Sequence, residues 1–383
     1  MSTEGRETPL ARRLKERIRR EGPIALREYM QACLQDAEHG YYCTARAIGA
    51  RGDFITAPEI SQIFGELIGL WSAVVWQQMG RPDGLYLFEL GPGRGTLMRD
   101  ALRAMRNVSG LRAALDVHLV ECNGTLREMQ QATLAAEGVS ATWHDDVASA
   151  LMDRSEVARG PTILIANEFL DAIPLDQWVF KACGWHKILV GLDPAGNFTF
   201  QTKDRDPRPL EASEIEGEPG EGTIIEYRHS LFDLGHVMLG ERARGGPLAA
   251  LFLDYGHMRT TFGDTLQAVR GHATVSPFDA PGETDLTAHV DFEHFAACAH
   301  QPMRPGAGLV VDGPVTQAEF LGSLGAVERA ARLMAANPDQ ALAIEAGVAR
   351  LLAPNGMGTR FKALGVRSSN LPTLPGFLAS EIV

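Results

Sequence analysis

The stretch Leu85-Tyr-Leu-Phe-Glu-Leu-Gly-Pro-Gly-Arg-Gly-Thr96 decides the fold class of this 383-residue chain. A short apolar run comes first, three glycines follow at the spacing G-x-G-x-G, and a helical pattern begins after them. Glycine adopts backbone dihedrals that other residues avoid and lets a ligand approach the main chain closely. The stretch therefore predicts a strand, a tight ligand-binding turn and a helix.

Further apolar runs extend this pattern along the chain and are separated by helical stretches. Strands that alternate with helices form a parallel sheet covered on both faces, so the predicted class is α/β. Residues 308–312, the helical stretch that follows them to about residue 352, and an ending that includes Met357-Gly-Thr-Arg-Phe-Lys362 are together expected to complete the far edge of this sheet. The other runs are residues 117–121, 162–166, 249–254 and 308–312.

Alternating residues interrupt the series between the third and fourth runs. Trp178-Val-Phe-Lys181 and Trp185-His-Lys-Ile-Leu-Val190 read as strands, and Asp193-Pro-Ala-Gly-Asn197 reads as a turn before a third strand. We predict an antiparallel insertion here, followed by an acidic, glycine-rich loop over residues 201–222.

The first 80 residues have a helical pattern. Thr56-Ala-Pro-Glu59 reads as a capping box, and apolar residues then recur at helical spacing as far as Val75, so one helix is expected from there to Gly80. The predicted domains are an N-terminal helical segment over residues 1–80, for which the family resemblance given below implies the role of a cap and lid, and a catalytic domain over 81–383. That domain carries insertions at 176–245 and 257–305.

Composition and charge exclude several classes of protein. A net charge of -12 argues against nucleic acid as a partner. Five scattered cysteines without a C-x-x-C pair suit a reducing compartment and argue against structural zinc. Because no stretch reaches the roughly 20 apolar residues of a membrane span, no membrane insertion is expected. A bacterial cytoplasm is the predicted location, in preference to a mitochondrial matrix.

The glycine loop departs from the dinucleotide fingerprint G-x-G-x-x-G, since Thr96 stands where its third glycine would be. Glu89, two residues before the first glycine, suits the ammonium group of S-adenosylmethionine and would repel a diphosphate. A nicotinamide-dependent oxidoreductase is therefore disfavoured, and a tight turn without a ligand is the remaining alternative. The cofactor residues predicted in this loop are Glu89, Gly91, Pro92, Gly93, Gly95 and Thr96.

Acidic residues after the next two strands suggest contacts to the adenosine part of that cofactor. Glu121 stands where a carboxylate can accept hydrogen bonds from both ribose hydroxyls. Asp145 and Asp146 follow a third predicted strand and are assigned to the adenine amino group. Either aspartate could equally serve as the N-cap of a helix.

The loop Asn167-Glu-Phe-Leu-Asp-Ala-Ile-Pro174 should emerge at the carboxyl edge of the sheet, where α/β proteins bind ligands. S-adenosylmethionine donates a methyl group. For an arginine as the acceptor of that group, whose side chain stays charged, carboxylates that orient the guanidinium are the natural catalytic device. We assign this role to Glu168 and Asp171, and we count Asn167 with both the catalytic and the cofactor residues. The alternative is that these acids cap a helix or pair with surface arginines. The loop lacks the Asn-Pro-Pro-Tyr typical of adenine and glutamine methyltransferases.

Two other motifs contain residue types that can carry chemistry. His289-Val-Asp-Phe-Glu-His294 has an H-x-D-x-x-H arrangement, but without further ligands nearby we expect no metal site. We expect a helix start instead, with Asp285, Thr287 and Asp291 as possible caps. Asp254-Tyr-Gly-His257 suits either a polar role near the acceptor or an ordinary turn.

Several long motifs in fixed order resemble the MidA-like family, also described as the complex I assembly-factor protein-arginine methyltransferase family. The resemblance covers nearly the whole chain. The motifs are Tyr29-Met30, His39-Gly-Tyr-Tyr42, Gly52-Asp-Phe-Ile-Thr-Ala-Pro-Glu-Ile-Ser-Gln-Ile-Phe-Gly-Glu66, the glycine loop, the 167–174 loop, Phe252-Leu-Asp-Tyr-Gly256 and Asp285-Leu-Thr-Ala-His-Val-Asp-Phe292.

The resemblance implies a class I methyltransferase fold: a Rossmann-like seven-stranded sheet with extra N-terminal helices, an inserted subdomain, and a lid over residues 52–66. It implies S-adenosylmethionine as cofactor and a protein substrate, since mitochondrial relatives are associated with symmetric dimethylation of an arginine in a respiratory complex I subunit. Two hypotheses follow: a protein-arginine methyltransferase, or an assembly factor that binds the cofactor with little catalysis. No oligomeric state is predicted.

Overall fold

The computed structural model describes residues 7–44, 56–152, 160–182, 184–203, 215, 217–300 and 308–377. The chain forms two compact units. The first unit comprises Met1–Phe54, Asp171–Leu231 and Arg259–His289. The second unit comprises Ile55–Leu170, Phe232–Met258 and Val290–Val383.

The helices of the described residues include several short ones, a π-helical turn at Asp233–Met238 and a 3-10 turn at Pro338–Gln340. They are α1 Pro9–Glu21, α2 Leu26–Gln35, α3 Ala57–Ile60, α4 Gln62–Gln78, α5 Thr96–Met105, α6 Leu111–Ala114, α7 Gly124–Ala135, α8 Val147–Leu151, α9 His229–Phe232, α10 Leu239–Ala243, α11 Phe292–His300, α12 Gln317–Ser323, α13 Ala326–Ala336 and α14 Ala341–Leu352.

The strands of the described residues are also numbered in chain order. They are β1 Ile24–Ala25, β2 Leu85–Leu90, β3 Leu115–Val120, β4 Ala141–His144, β5 Thr162–Asn167, β6 Asp176–Lys181, β7 Gly184–Leu192, β8 Phe198–Thr202, β9 Ile224–Tyr227, β10 Leu248–His257, β11 Gln267–Arg270, β12 Ala273–Thr274, β13 Asp285–Thr287, β14 Val290–Asp291, β15 Leu309–Thr316 and β16 Phe361–Ser368.

The second unit is built on a large mixed sheet with the strand order β15-β16-β10-β5-β2-β3-β4. Strands β4, β3, β2, β5 and β10 are parallel, and β16 runs antiparallel to both of its neighbours. The seven expected strands are thus present in the described residues, and the two-residue β14 pairs with β10 as an eighth. The α/β prediction is confirmed. The strand order reverses between β2 and β5, and their carboxyl ends are the expected ligand position.

The prediction for the far edge of this sheet is confirmed. The last two strands of the chain form that edge: β16 inserts between β10 and β15, and β15, although earlier in the chain, is the outer strand. The reason is burial, because five consecutive residues of β16, from Lys362 to Val366, are buried. A strand buried on both faces is more stable between two neighbours than at an edge.

Helices α4 and α5 pack together against this sheet and form much of its hydrophobic core. Gly65 and Gly69 on α4 allow the contact, since a Cβ atom at Gly69 would lie 2.7 Å from the Cα of Ala101 on α5. Two helices can approach this closely only where one of them lacks a side chain.

The expected single helix after Thr56 is divided in two. Ser61 has extended dihedrals and ends α3, and its hydroxyl accepts a hydrogen bond from the backbone N–H of Ile63 at 3.3 Å to begin α4. Thr56 precedes α3 without a side-chain capping bond. The capping-box prediction was therefore wrong at Thr56, and Glu59 has a different partner, described below.

The first unit contains the antiparallel insertion that the sequence predicts. Strand β7 pairs with β6, β8 and β1, and β6 also pairs with β9. A core that includes Leu10, Ile18, Tyr29 and Val190 joins these strands to α1 and α2. A second small sheet has the order β12-β11-β13. Most of the predicted 201–222 loop and the first part of the predicted lid lie outside the described residues.

Candidate cofactor and active site

The glycine loop turns sharply between β2 and α5. Gly91, Gly93 and Gly95 have φ values of 63°, 54° and 79°, in the left-handed region that favours glycine. The Gly91 N–H donates to the carbonyl of Val120 at 3.1 Å, and a Cβ atom on Gly91 would lie 3.0 Å from the ring of Phe169. The Phe169 ring thus leaves little room for a side chain at Gly91, and the dihedrals favour glycine at all three positions.

Glu89 lies on β2 directly below this loop and is 2% exposed. Among the residues that the structure describes, no donor lies within hydrogen-bonding distance of its Oε2 atom. Burial raises the pKa of the carboxyl to about 8. An unpaired buried carboxylate is costly, and a cationic ligand group would stabilise it.

Glu121 follows β3, the neighbour of β2, and is 8% exposed. Its Oε1 atom accepts from the Asn123 N–H at 2.8 Å, and its Oε2 atom accepts from the side-chain amide of Gln130 at 3.3 Å. Burial raises the pKa of this carboxyl, and these hydrogen bonds oppose the rise. The carboxylate is therefore oriented by the protein.

The Thr96 side chain forms a hydrogen bond within the protein. Its hydroxyl donates to Oε1 of Glu59 on α3 at 2.6 Å, and Nη1 of Arg94 lies 3.7 Å from the other oxygen of Glu59. Glu59 thus ties α3 to the glycine loop instead of reaching back to Thr56.

The two aspartates after β4 differ in surroundings. Asp146 caps α8, because its Oδ1 accepts from the Ser149 N–H at 2.7 Å in a complete capping box. The Asp145 side chain is 83% exposed and lies 2.6 Å from Nη2 of Arg127. The structure places Asp146 in the helix-cap role left open above. The adenine contact stays a prediction.

Asn167 and Glu168 stand at the end of β5, across the strand-order reversal from β2. Glu168 has φ 52°, a left-handed conformation that is uncommon for residues other than glycine. Its Oε1 atom accepts from the Ala57 N–H at 2.9 Å and from the Asn167 amide at 3.3 Å. Such backbone strain persists where the surroundings enforce it, and it concentrates at functional sites.

Asp254 provides that enforcement. It lies within β10 and is fully buried, so of the two alternatives for residues 254–257 the structure excludes the ordinary turn. Its Oδ2 atom accepts from the N–H groups of Phe169 at 3.0 Å and Leu170 at 2.8 Å, and the Glu168 N–H donates to the Leu253 carbonyl. β10 therefore shapes the turn that presents Glu168.

Asp171 falls in the first unit and is buried there. Its carbonyl accepts from the Ala288 N–H at 3.2 Å and from Nη2 of Arg228 at 3.3 Å. The buried Arg228 also donates to the carbonyls of Ile173 and Ala288, which holds this loop in place. The catalytic role of Asp171 stays a prediction.

The H-x-D-x-x-H motif begins α11 as expected, with Asp291 accepting from the His294 N–H at 2.9 Å. Asp285 and Thr287, the other two possible caps, lie in β13, so of the three only Asp291 serves this helix among the described contacts. Within the described ranges, no group of three or more His, Cys, Asp or Glu residues could hold a metal ion.

Sequence reasoning missed Gln130. It is fully buried on α7, and its amide contacts both Gly93 and Glu121. The signal was present in the helix pattern: Leu126 and Leu134 lie one turn to either side on the buried face, and a glutamine between them needs polar partners in the interior.

Comparison with known proteins identifies the class. Residues 67–312 match the family model of S-adenosyl-L-methionine-dependent methyltransferases, and the chain belongs to this family. It is 33% identical to the mouse protein arginine methyltransferase NDUFAF7, mitochondrial, over 92% of this chain and 83% of that protein. It is 34% identical to the Drosophila melanogaster homologue, over 97% and 86%.

A solved structure agrees with this assignment. A Burkholderia thailandensis protein crystallised with S-adenosyl-homocysteine superposes with a TM-score of 0.81 at 28% identity, covering 97% of this chain and 94% of that one. The fold is therefore that of a class I methyltransferase, and S-adenosylmethionine is the family's cofactor. The residues present fit this cofactor chemically. Glu89 suits its ammonium group, the glycine loop lets a ligand approach the protein main chain, and Glu121 suits its ribose hydroxyls. Among the described residues, no helix is long and apolar enough to cross a membrane.

Proposed function

We propose that this chain methylates arginine side chains of a protein, with the cofactor held at the carboxyl ends of β2, β3 and β5. The relatives named protein arginine methyltransferase, which match over more than nine-tenths of this chain, support the acceptor. The family resemblance makes an arginine of a respiratory complex I subunit the first acceptor to test. Composition supports a cytoplasmic location.

In this proposal Glu89 pairs with the ammonium group, Glu121 accepts from the ribose hydroxyls, and Gly91, Gly93 and Gly95 leave room for the cofactor. When bound, S-adenosylmethionine supplies an electrophilic methyl group on its sulfonium sulfur. The protein contributes placement of the nucleophile and exclusion of water, which are the main requirements of an in-line displacement.

The observation that carries the acceptor proposal concerns Glu168: its backbone is held in a left-handed conformation, and its carboxylate is oriented by hydrogen bonds. Guanidinium groups present rigid N–H donors that match carboxylates, and they stay protonated at neutral pH. A carboxylate fixed by the Ala57 N–H and the Asn167 amide can grip one side of the guanidinium and direct a nitrogen toward the methyl group. When that nitrogen takes the methyl group it gives up one proton, so the guanidinium carries one positive charge before and after the transfer, and the same carboxylate stabilises this charge.

The test is methyl transfer from labelled cofactor to proteins of a host lysate, followed by hydrolysis and amino-acid analysis. We expect label in methylarginine, a loss of roughly 100-fold or more with Glu168→Gln, and little change in affinity for S-adenosylhomocysteine. Glu345→Gln, an exposed residue of α14, is the matched control.

Undiminished transfer by Glu168→Gln would remove this residue from the reaction. Label in another amino acid would overturn the arginine assignment. If the wild-type protein binds S-adenosylhomocysteine but labels no protein, the alternative of a cofactor-binding assembly factor replaces the proposed catalysis.

A further inference from the structure

The buried amide of Gln130 connects two parts of the cofactor site that are far apart in sequence. Its Nε2 atom donates to the Gly93 carbonyl at 2.7 Å and to Oε2 of Glu121 at 3.3 Å. Its side chain also packs against Gly95, where a Cβ atom would lie 3.5 Å away. One side chain therefore contacts the glycine loop at two positions and the acid assigned to the ribose.

A third partner determines which way this amide faces. Its Oε1 atom accepts from the indole N–H of Trp143 on β4 at 2.8 Å. An indole nitrogen only donates, whereas a carbonyl and a carboxylate only accept, so the reversed orientation would lose all three hydrogen bonds. Trp143 thus directs the NH2 group toward Gly93 and Glu121.

The helix that carries Gln130 is itself anchored to the same site. The Asn123 side chain caps the start of α7, and the backbone N–H of Asn123 holds Oε1 of Glu121. One turn after Gln130, the Thr133 hydroxyl oxygen lies 3.2 Å from the Arg94 carbonyl and 2.8 Å from the Met129 carbonyl of its own helix, and its single proton can serve either acceptor. The carboxylate of Glu121 is therefore gripped at both oxygens by groups on or beside α7.

We propose that Gln130 is a positioning residue for ribose recognition. Its amide holds the Glu121 carboxylate and the Gly93 carbonyl in the relative positions that let the carboxylate accept from both ribose hydroxyls of the cofactor. This inference rests on the proposed placement of the cofactor. A carboxylate accepts two O–H groups well only at one orientation, since hydrogen bonds weaken steeply when they are misaligned. Loss of the Gln130 amide should therefore reduce the preference for ribose over 2′-deoxyribose more than it reduces the overall affinity for the cofactor.

The experiment compares the affinity of the full chain for S-adenosylhomocysteine with its affinity for the 2′-deoxyribose analogue. We expect the wild-type protein to prefer the ribose form by at least about tenfold. Gln130→Met should reduce this preference to about threefold or less. Gln131→Met places the same change at the next, exposed position of α7 and should leave the preference unchanged.

Two milder variants carry the test if Gln130→Met does not fold. Trp143→Phe keeps the amide but frees it to turn over, and it should lose part of the preference. Gln130→Glu keeps the acceptor for Trp143 and places a second carboxylate beside Glu121. The ratio of its Kd to the wild-type Kd should rise with pH, because two adjacent carboxylates can share a proton only at lower pH.

The outcomes separate this inference from the proposed cofactor placement. Glu121→Gln should itself abolish the ribose preference; if the preference survives, Glu121 is not the ribose acid and both proposals fall. If Glu121→Gln abolishes it, but Gln130→Met and Trp143→Phe leave it unchanged and the Kd ratio of Gln130→Glu does not change with pH, the role of Gln130 is overturned and the cofactor placement stands.

Discussion

At the scale of single residues, the proposed cofactor site contains a carboxylate that the free protein accommodates poorly. Glu89 is buried without a donor for Oε2 among the described residues, and its pKa is raised to about 8 for that reason alone. Such an acid is largely protonated at neutral pH until a cation arrives. Binding and proton release are therefore coupled at this position.

This coupling gives a prediction for Glu89→Gln. At pH 7 the wild-type protein should release close to one proton on binding S-adenosylhomocysteine, because the ligand's ammonium group ionises Glu89. The variant should release none from this position and should bind roughly 10-fold or more weakly. Calorimetry in buffers of different ionisation enthalpy measures both quantities.

Stability of the free protein provides an independent check. A carboxyl whose pKa is raised on folding binds protons more tightly in the folded state, so its contribution declines as pH rises from the ordinary value near 4.5 to about 8. Glu89→Gln should remove this decline from the unfolding free energy. Equal pH dependence in variant and wild type would show that Glu89 does not titrate in this range.

Residue types and spacing predicted Glu89, the three glycines, Glu121 and Glu168 as candidates, since each lies at or just after the end of an apolar run in the sequence. They could not predict which partners these residues have. The Ala57 N–H that orients Glu168 is 111 positions away, and the Gly93 carbonyl that Gln130 holds is 37 positions away. Such contacts depend on how the strands are ordered.

At the scale of secondary-structure elements, the close packing of α4 on α5 depends on glycine. The apolar stripe of α4 predicted a buried helix, but the identity of its neighbour was not visible. Gly69 lies against the backbone of Ala101, which cannot move aside as the end of a flexible side chain could. A methyl group there must separate the two helices.

Gly69→Ala is therefore expected to destabilise the protein by about 1–3 kcal/mol, although alanine favours helices. Chemical denaturation followed by circular dichroism measures the change. Gly240→Ala on α10 is the matched control, because its Cβ would meet no atom within 4 Å. It should be neutral or slightly stabilising, and equal stability of the two variants would contradict the packing argument.

The break between α3 and α4 is another feature of this scale. The pattern from Thr56 onward has a helical period, yet Ser61 leaves the helix and restarts it. The Thr96 hydroxyl donates to Glu59, and the Ala57 N–H donates to Glu168. These two hydrogen bonds place α3 beside the carboxyl ends of β2 and β5. Tertiary hydrogen bonds thus override a continuous local preference.

At the scale of the whole molecule, the class I methyltransferase fold of the second unit places the carboxyl ends of β2 and β5 beside each other at the strand-order reversal. A ligand specific for this site stabilises the folded state by mass action, by about 2.7 kcal/mol at a concentration 100 times Kd.

We expect S-adenosylhomocysteine to raise the thermal midpoint by a few degrees under these conditions and NAD to leave it unchanged. A thermal-shift titration of the full chain with both compounds measures this difference. A rise with NAD alone would overturn the reading of the glycine spacing, and no rise with either would contradict the cofactor site.

The sequence by itself determined the α/β class, the glycine turn and the acids that follow the strands. These features are local: apolar periodicity and the steric freedom of glycine act over a few neighbouring residues. Tertiary structure alone decided that β16 inserts inside the sheet, that Asp254 shapes the Glu168 turn and that Gln130 connects Gly93 to Glu121. Those contacts join residues distant in the chain, and only the packing of buried strands brings them within hydrogen-bonding distance.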